Sequence, residues 1–165
     1  MFRQVLTSIA IALFVVLTAG SCNFYGASIK VLCYNNVEFS TRGNEFDGMS
    51  VQSTPLPDYI AVILPDGQRL QMSDISLEKS KQLFGAPTLS LADGIEGKIE
   101  RYGRKGCTIR FTNDNFSMVS ISEGCKVENT LNQKSLSFPA SESEIRNVFG
   151  TPTEVARRQL TNLPP

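Results

Sequence analysis

The chain has 165 residues, and its 16 Lys and Arg balance 16 Asp and Glu. That length holds one domain with a real core once a leader is set aside, and formal neutrality excludes the basic stripe that nucleic acid requires. Histidine is absent, which excludes Ser-His-Asp and Cys-His nucleophile systems, histidine general bases and every zinc site built on imidazole.

MFRQVLTSIAIALFVVLTAGSC opens the chain. Arg3 and the α-amine make a positive start, Val5 to Ala19 an uncharged apolar run, and Ala19, Gly20 and Ser21 a small-residue exit. Residues 1–21 therefore read as a secretory signal peptide, too short in its apolar part for the ~20 residues of a spanning helix. TAGSC, residues 18–22, resembles a bacterial lipobox, with Ala19 where a leucine is commonest. That resemblance implies a lipidated Cys22 as the mature N-terminus, residues 22–27 as a tether, and, with Asn23 following, an outer-membrane lipoprotein facing the periplasm. Ordinary cleavage after Ser21 or Ala27, without lipid, is the alternative.

Residues 28–165 are expected to form a single α+β domain. SIKVLCY (28–34) reads as a strand, and Val37 to Ser40 as its hairpin partner across Asn35-Asn36. Residues 41–57 are loaded with Gly, Pro, Ser and Asn and carry no period, so they read as a long loop, either mobile or functional. Its apolar side chains Phe46 and Met49 are expected on an interaction surface. Tyr59 to Leu64 and Arg69 to Met72 form a hairpin around Pro65-Asp66-Gly67. A helix then runs from about Ser76 to Phe84, with Asp74 or Ser76 as N-cap, Gly85 as the left-handed stop and Pro87 blocking continuation. IEGKIERYG, CTIRFT and FSMVSIS supply three more strands, with turns at Gly103/Gly106 and Asn113–Asn115.

NVFGTPT at 147–153 repeats QLFGAPT at 82–88. Aligned on this string, Phe84 matches Phe149, Leu70 matches Leu136 and Met72 matches Phe138. Ser141 and Glu144 predict a capping box, and Ile145, Val148 and Phe149 an apolar helical stripe. Two units result, 59–122 and 125–153, the second followed only by EVARRQLTNLPP, which predicts a short helix and no matching sheet. The expected fold is an antiparallel sheet with two short helices from a degenerate, partly truncated repeat.

Four cysteines remain to be placed: Cys22, Cys33, Cys107 and Cys125. In an oxidising compartment, Cys107 and Cys125 are expected to close the intervening hairpin as a disulfide, a crosslink of roughly 3 kcal/mol. Pairing of Cys33 with either of them stays open on sequence alone. Glu96 and Glu100 on one strand face lie about 13 Å apart, too far for a shared site, so with Asp93 they read as a solvated edge. Asp114 between Asn113 and Asn115 reads as turn chemistry, because a calcium loop needs several spaced carboxylates. No metal site or cofactor motif is expected. Arg101, Arg104 and Lys105 are the densest cationic cluster and the remaining candidate interaction surface.

Ser76, Leu83, Phe84, Gly85 and Pro87 precede Tyr102, Phe111, Asn113, Asp114, Val119 and Ile121. A short helix with a glycine-proline stop, then strands with an aromatic and an Asn-Asp turn, resembles the BamE (SmpA/OmlA) domain over residues 70–122. An echo lies at 132–153, and the tandem arrangement is similar to that of β-lactamase inhibitor proteins. Ser73-Asp74-Ile75 replaces the family's GM-[ST] lead-in to the helix. The resemblance implies a binding module rather than an enzyme. The expected function is that of a non-enzymatic envelope lipoprotein, a scaffold or assembly factor. It would bind another envelope protein, meet the membrane through its lipid, and take no small-molecule substrate. An inhibitor or immunity protein against an exported toxin or hydrolase is the alternative.

Overall fold

Along Val37–Arg42 and Cys107–Thr112, buried residues alternate with more exposed ones, so each strand offers one face to a core and one to solvent. The computed structural model describes residues 28–159, of which Ile29–Arg158 form one unit built mostly from such strands. In chain order these are β1 Ser28–Tyr34, β2 Val37–Arg42, β3 Glu45–Val51, β4 Ile60–Ile63 and β5 Arg69–Gln71. A 3-10 turn at Met72–Asp74 leads to helix α1, Leu77–Phe84. Then follow β6 Leu89–Gly94, β7 Gly97–Arg104, β8 Cys107–Thr112, β9 Asn115–Ser122, β10 Lys126–Asn129 and β11 Lys134–Ser137. Helix α2, Glu142–Phe149, and strand β12, Glu154–Gln159, complete the described chain.

Two sheets result. One has eight strands in the order β12-β1-β2-β3-β9-β8-β7-β6, the other four in the order β11-β10-β4-β5. The α+β class with antiparallel sheet and two short helices is therefore as expected. Both helices also begin and end as their sequences dictate. The Ser76 hydroxyl accepts from the Lys79 N–H, while Ser141 and Glu144 make the full reciprocal capping box. Gly85 and Gly150 follow the two helices at φ 76° and 82°, a backbone region where a β-carbon is strained.

Three segments differ from expectation. Residues 45–51 are not loop but β3, at the centre of the large sheet, and Phe46 and Met49 are each only 2% exposed. They are core residues and leave the candidate surface, because the turn after β2 folds them inward against hydrophobic neighbours. Residues 154–159, expected to be helical, form edge strand β12. Pairing along β1 overrides the helix propensity of Glu, Ala and Arg. Leu89–Gly94 is a strand that was not expected from its short LSLADG sequence; its pairing with β7 makes it one.

The pairing registers of the two halves of the large sheet coincide. In one half Val37 faces Val51, Phe39 faces Met49 and Thr41 faces Phe46, with a bulge between Ser40 and Thr41. Seventy positions on, Cys107 faces Ile121, Ile109 faces Val119 and Phe111 faces Phe116, with a bulge between Arg110 and Phe111. At the junction of the halves Ser50 faces Ser120, and in the small sheet Val62 faces Val127. Thus β4, β5, α1 and β6–β9 occupy one half, and β10, β11, α2, β12 and β1–β3 occupy the other.

One core joins the two sheets and both helices, including Phe39, Val51, Val62, Ile109, Val119, Val127 and Ile145. Matching strand ends hold the two helix C-termini. The Tyr34 hydroxyl donates to the Gly150 carbonyl at 3.0 Å, and the Arg104 guanidinium donates to the Leu83 carbonyl at 3.0 Å. A cation there also complements the helix dipole.

Candidate binding face of the eight-stranded sheet

Residues directly opposite one another in an antiparallel pair project to the same side. Tyr102 with Ile109, and Ile109 with Val119, therefore mark the inner face, which is buried. Ile99, Arg101, Thr108, Arg110, Thr112, Met118 and Ser120 mark the outer face, where exposure is intermediate or greater. Leu89 and Leu91 of β6 extend it, opposite Arg101 and Ile99, and Leu91 is 45% exposed. At the centre a depression of about 280 Å³ is lined by Ser40, Gly48, Ser50, Met118, Ser120 and Ser122 among others. Gly48 permits this close junction: a β-carbon there would stand 2.6 Å from the Ile121 carbonyl oxygen.

Charge is distributed unevenly over this face. On the β1–β3 side, Arg158 grips Glu38 with two hydrogen bonds of 2.9 and 2.6 Å, and Arg42 meets Asp47 at 3.7 Å. On the β6–β9 side, Arg101 and Arg110 stand directly opposite each other. Arg69, Arg104 and Arg146 also meet carboxylates, at Glu128, Asp66 and Glu142. Among the described residues Arg101, Arg110 and Arg157 make no such pair. The Arg110 Nε donates to the Ser117 hydroxyl at 3.2 Å, which orients the guanidinium within the sheet face.

The expected cationic trio does not converge. Arg101 lies on the outer face. Arg104 has the opposite parity and is held by Asp66, by the Leu83 carbonyl and over the Phe84 ring at 5.9 Å, so it is a structural staple. Lys105 sits exposed in the turn between β7 and β8. Arg110, absent from the expected set, is what Arg101 meets. A two-residue turn at Lys105-Gly106 would have announced that pairing, because it sets Arg104 against Cys107 and hence Arg101 against Arg110.

Cys22 lies outside the described residues. Cys107 and Cys125 are both buried, and the Cys125 thiol donates to the Lys105 carbonyl at 3.8 Å, beside the turn that precedes Cys107. Yet both are free thiols, as is Cys33, where a Cys107–Cys125 bond was expected. Burial pushes all three upward, Cys107 to about 12 with the neighbouring Cys125 adding to it. Cys33 on β1 lies four strand spacings from Cys107 on β8, roughly 19 Å, which no disulfide spans.

Of the acidic candidates, Glu100 and Asp114 are engaged in ion pairs. Lys98 bridges Asp114 at 3.1 Å and Glu100 at 3.3 Å, and its pKa is raised by Asp114 first and then Glu100. Among the described residues no group of three or more His, Cys, Asp or Glu is placed to hold a metal, and no helix is long and apolar enough to cross a membrane. Compared with known proteins, the chain matches no family model, no curated protein and no solved structure.

Proposed function

We propose that this chain is an exported bacterial envelope lipoprotein, tethered by lipid on Cys22, that binds another protein through the outer face of its large sheet and performs no catalysis. The observation that carries this reading is the face itself. It combines the exposed apolar Leu91, a central depression and two arginines that have no carboxylate partner among the described residues. The leader and TAGSC support export and lipidation, and the resemblance to BamE-type modules supports binding over chemistry. We also infer that the fold is a duplication whose second unit is closed by the chain's own first strands, β1–β3. The coincident registers and bulges support it.

Site-specific photocrosslinking in the native envelope tests the binding reading. A crosslinker at Ser120 should trap one protein, and a crosslinker at Gln68, in the exposed β4–β5 turn, should not. Equal capture at both positions, or none at Ser120, rejects the face. A trapped assembly factor fits a scaffold, whereas a trapped hydrolase or toxin favours the inhibitor reading. Cys22→Ser should release the protein from membranes; retention would reject the lipid tether.

A further inference from the structure

The directly opposed arginines of β7 and β8 require an explanation that the fold does not supply. Like charges facing each other across an antiparallel pair destabilise it. The matching positions in the other half of the sheet face each other in the same register and carry the buried Val31 and the half-buried Ser40, so the pairing pattern by itself does not call for cations. Elsewhere on the outer face each arginine of the β1–β3 side has its carboxylate: Arg158 has Glu38, and Arg42 has Asp47. Among the described residues, exposed Arg101 and half-buried Arg110 of the β7–β8 pair have no carboxylate partner.

We propose that Arg101 and Arg110 together bind the carboxylates of an acidic segment of a partner protein laid across the outer face. This deepens the protein-binding reading above and rests on it. Guanidinium groups match carboxylates with paired N–H donors in a fixed fork. Ser117 takes only the Nε of Arg110, which leaves the terminal nitrogens of both arginines for a ligand. The apolar neighbours strengthen the site electrostatically once they are covered. Leu89 stands opposite Arg101, and Met118 stands opposite Arg110. Met118 and Ser120 also border the central depression, so a segment anchored on the arginines has an adjacent recess for its next side chain. Arg110 is half-buried between strands.

The test uses the full-length lipidated chain in detergent, with a fluorescent oligoglutamate peptide as probe and anisotropy as readout. Oligoglutamate should bind and oligoglutamine should not. Arg101→Gln with Arg110→Gln should weaken oligoglutamate binding about tenfold or more. The control pair Lys105→Gln with Arg157→Gln removes the same charge elsewhere and should leave binding unchanged. The melting temperature of the first double variant should hold or rise, because a like-charge pair is relieved. Equal weakening by both double variants, no weakening, or a lowered melting temperature overturns the proposal. So does a loss confined to phosphatidylglycerol-doped micelles, which would assign the pair to a lipid headgroup. If Ser120 crosslinking persists undiminished in the double variant, the face binds protein by other contacts. The inference then fails while the broader reading stands.

Discussion

The two halves of the eight-stranded sheet share strand lengths, registers and bulges, yet they spend their side chains differently. At matching outer positions, β1 and β2 carry Val31 and Ser40 while β7 and β8 carry Arg101 and Arg110. At matching inner positions, Tyr34 holds one helix end and Arg104 the other. Pairing geometry is set by the backbone and the buried alternation. The outer positions diverge in both side chain and exposure, with Val31 buried where Arg101 is exposed. Among the described residues, the outer-face arginines Arg42 and Arg158 of one half meet carboxylates, and Arg101 and Arg110 of the other do not.

The sharpest way to break the correspondence lies at the centre. Gly48 matches Met118, but only Gly48 has a carbonyl oxygen where its β-carbon would go. Gly48→Met should destabilise by about 2–3 kcal/mol in denaturant unfolding. Met118→Gly should cost about 1 kcal/mol, through backbone entropy and lost contact. Equal losses would mean that the halves are not structurally inequivalent there.

A smaller effect separates the helices. Ser141→Ala removes a hydroxyl from a complete capping box, whereas Ser76→Ala removes a single cap bond. Both should lower stability by about 1 kcal/mol, with the Ser141 loss the larger. Reversal of that order would show that tertiary packing, not the box, holds α2.

The smallest effect depends on pH. Lys30, and after it Arg146, hold the Glu142 carboxyl below its ordinary value. A depressed folded pKa contributes stability that is present above the ordinary glutamate value and lost as pH falls through the folded one. At this partly exposed site the contribution is below about 1 kcal/mol. The matching positions in the other half are Glu100 and Leu77, which form no such pair. Acidification should therefore raise amide exchange in α2 before α1, and Lys30→Ala should abolish the difference. Simultaneous loosening of both helices at all pH values would sink this account.

The helices were legible because their signals are local. A cap serine, an apolar stripe and a glycine that tolerates positive φ act within ten residues. β1, β2, β8 and β9 were legible from β-branched and apolar runs bounded by turn residues. β3, β6 and β12 were not, because they carry polar or helix-favouring side chains and become strands only through the neighbours they pair with. Arg101 was visible as a cation, but its meeting with Arg110 required the register across a tight turn. Phe46 and Met49 looked available in a loop, yet a turn and a central strand put them in the core.

The sequence by itself determined the composition limits, both helices with their caps, and the echo of QLFGAPT in NVFGTPT. Each rests on residues close together in the chain. Only the tertiary structure decided that strands from the beginning of the chain stand beside its last described strand, where the second unit had seemed to lack a sheet. Hydrogen bonding between strands carries no local signature of which strand will be the partner. That choice was made by the shared core, which must be covered on both sides of the Ser50–Ser120 junction before either half can bury its hydrophobic face.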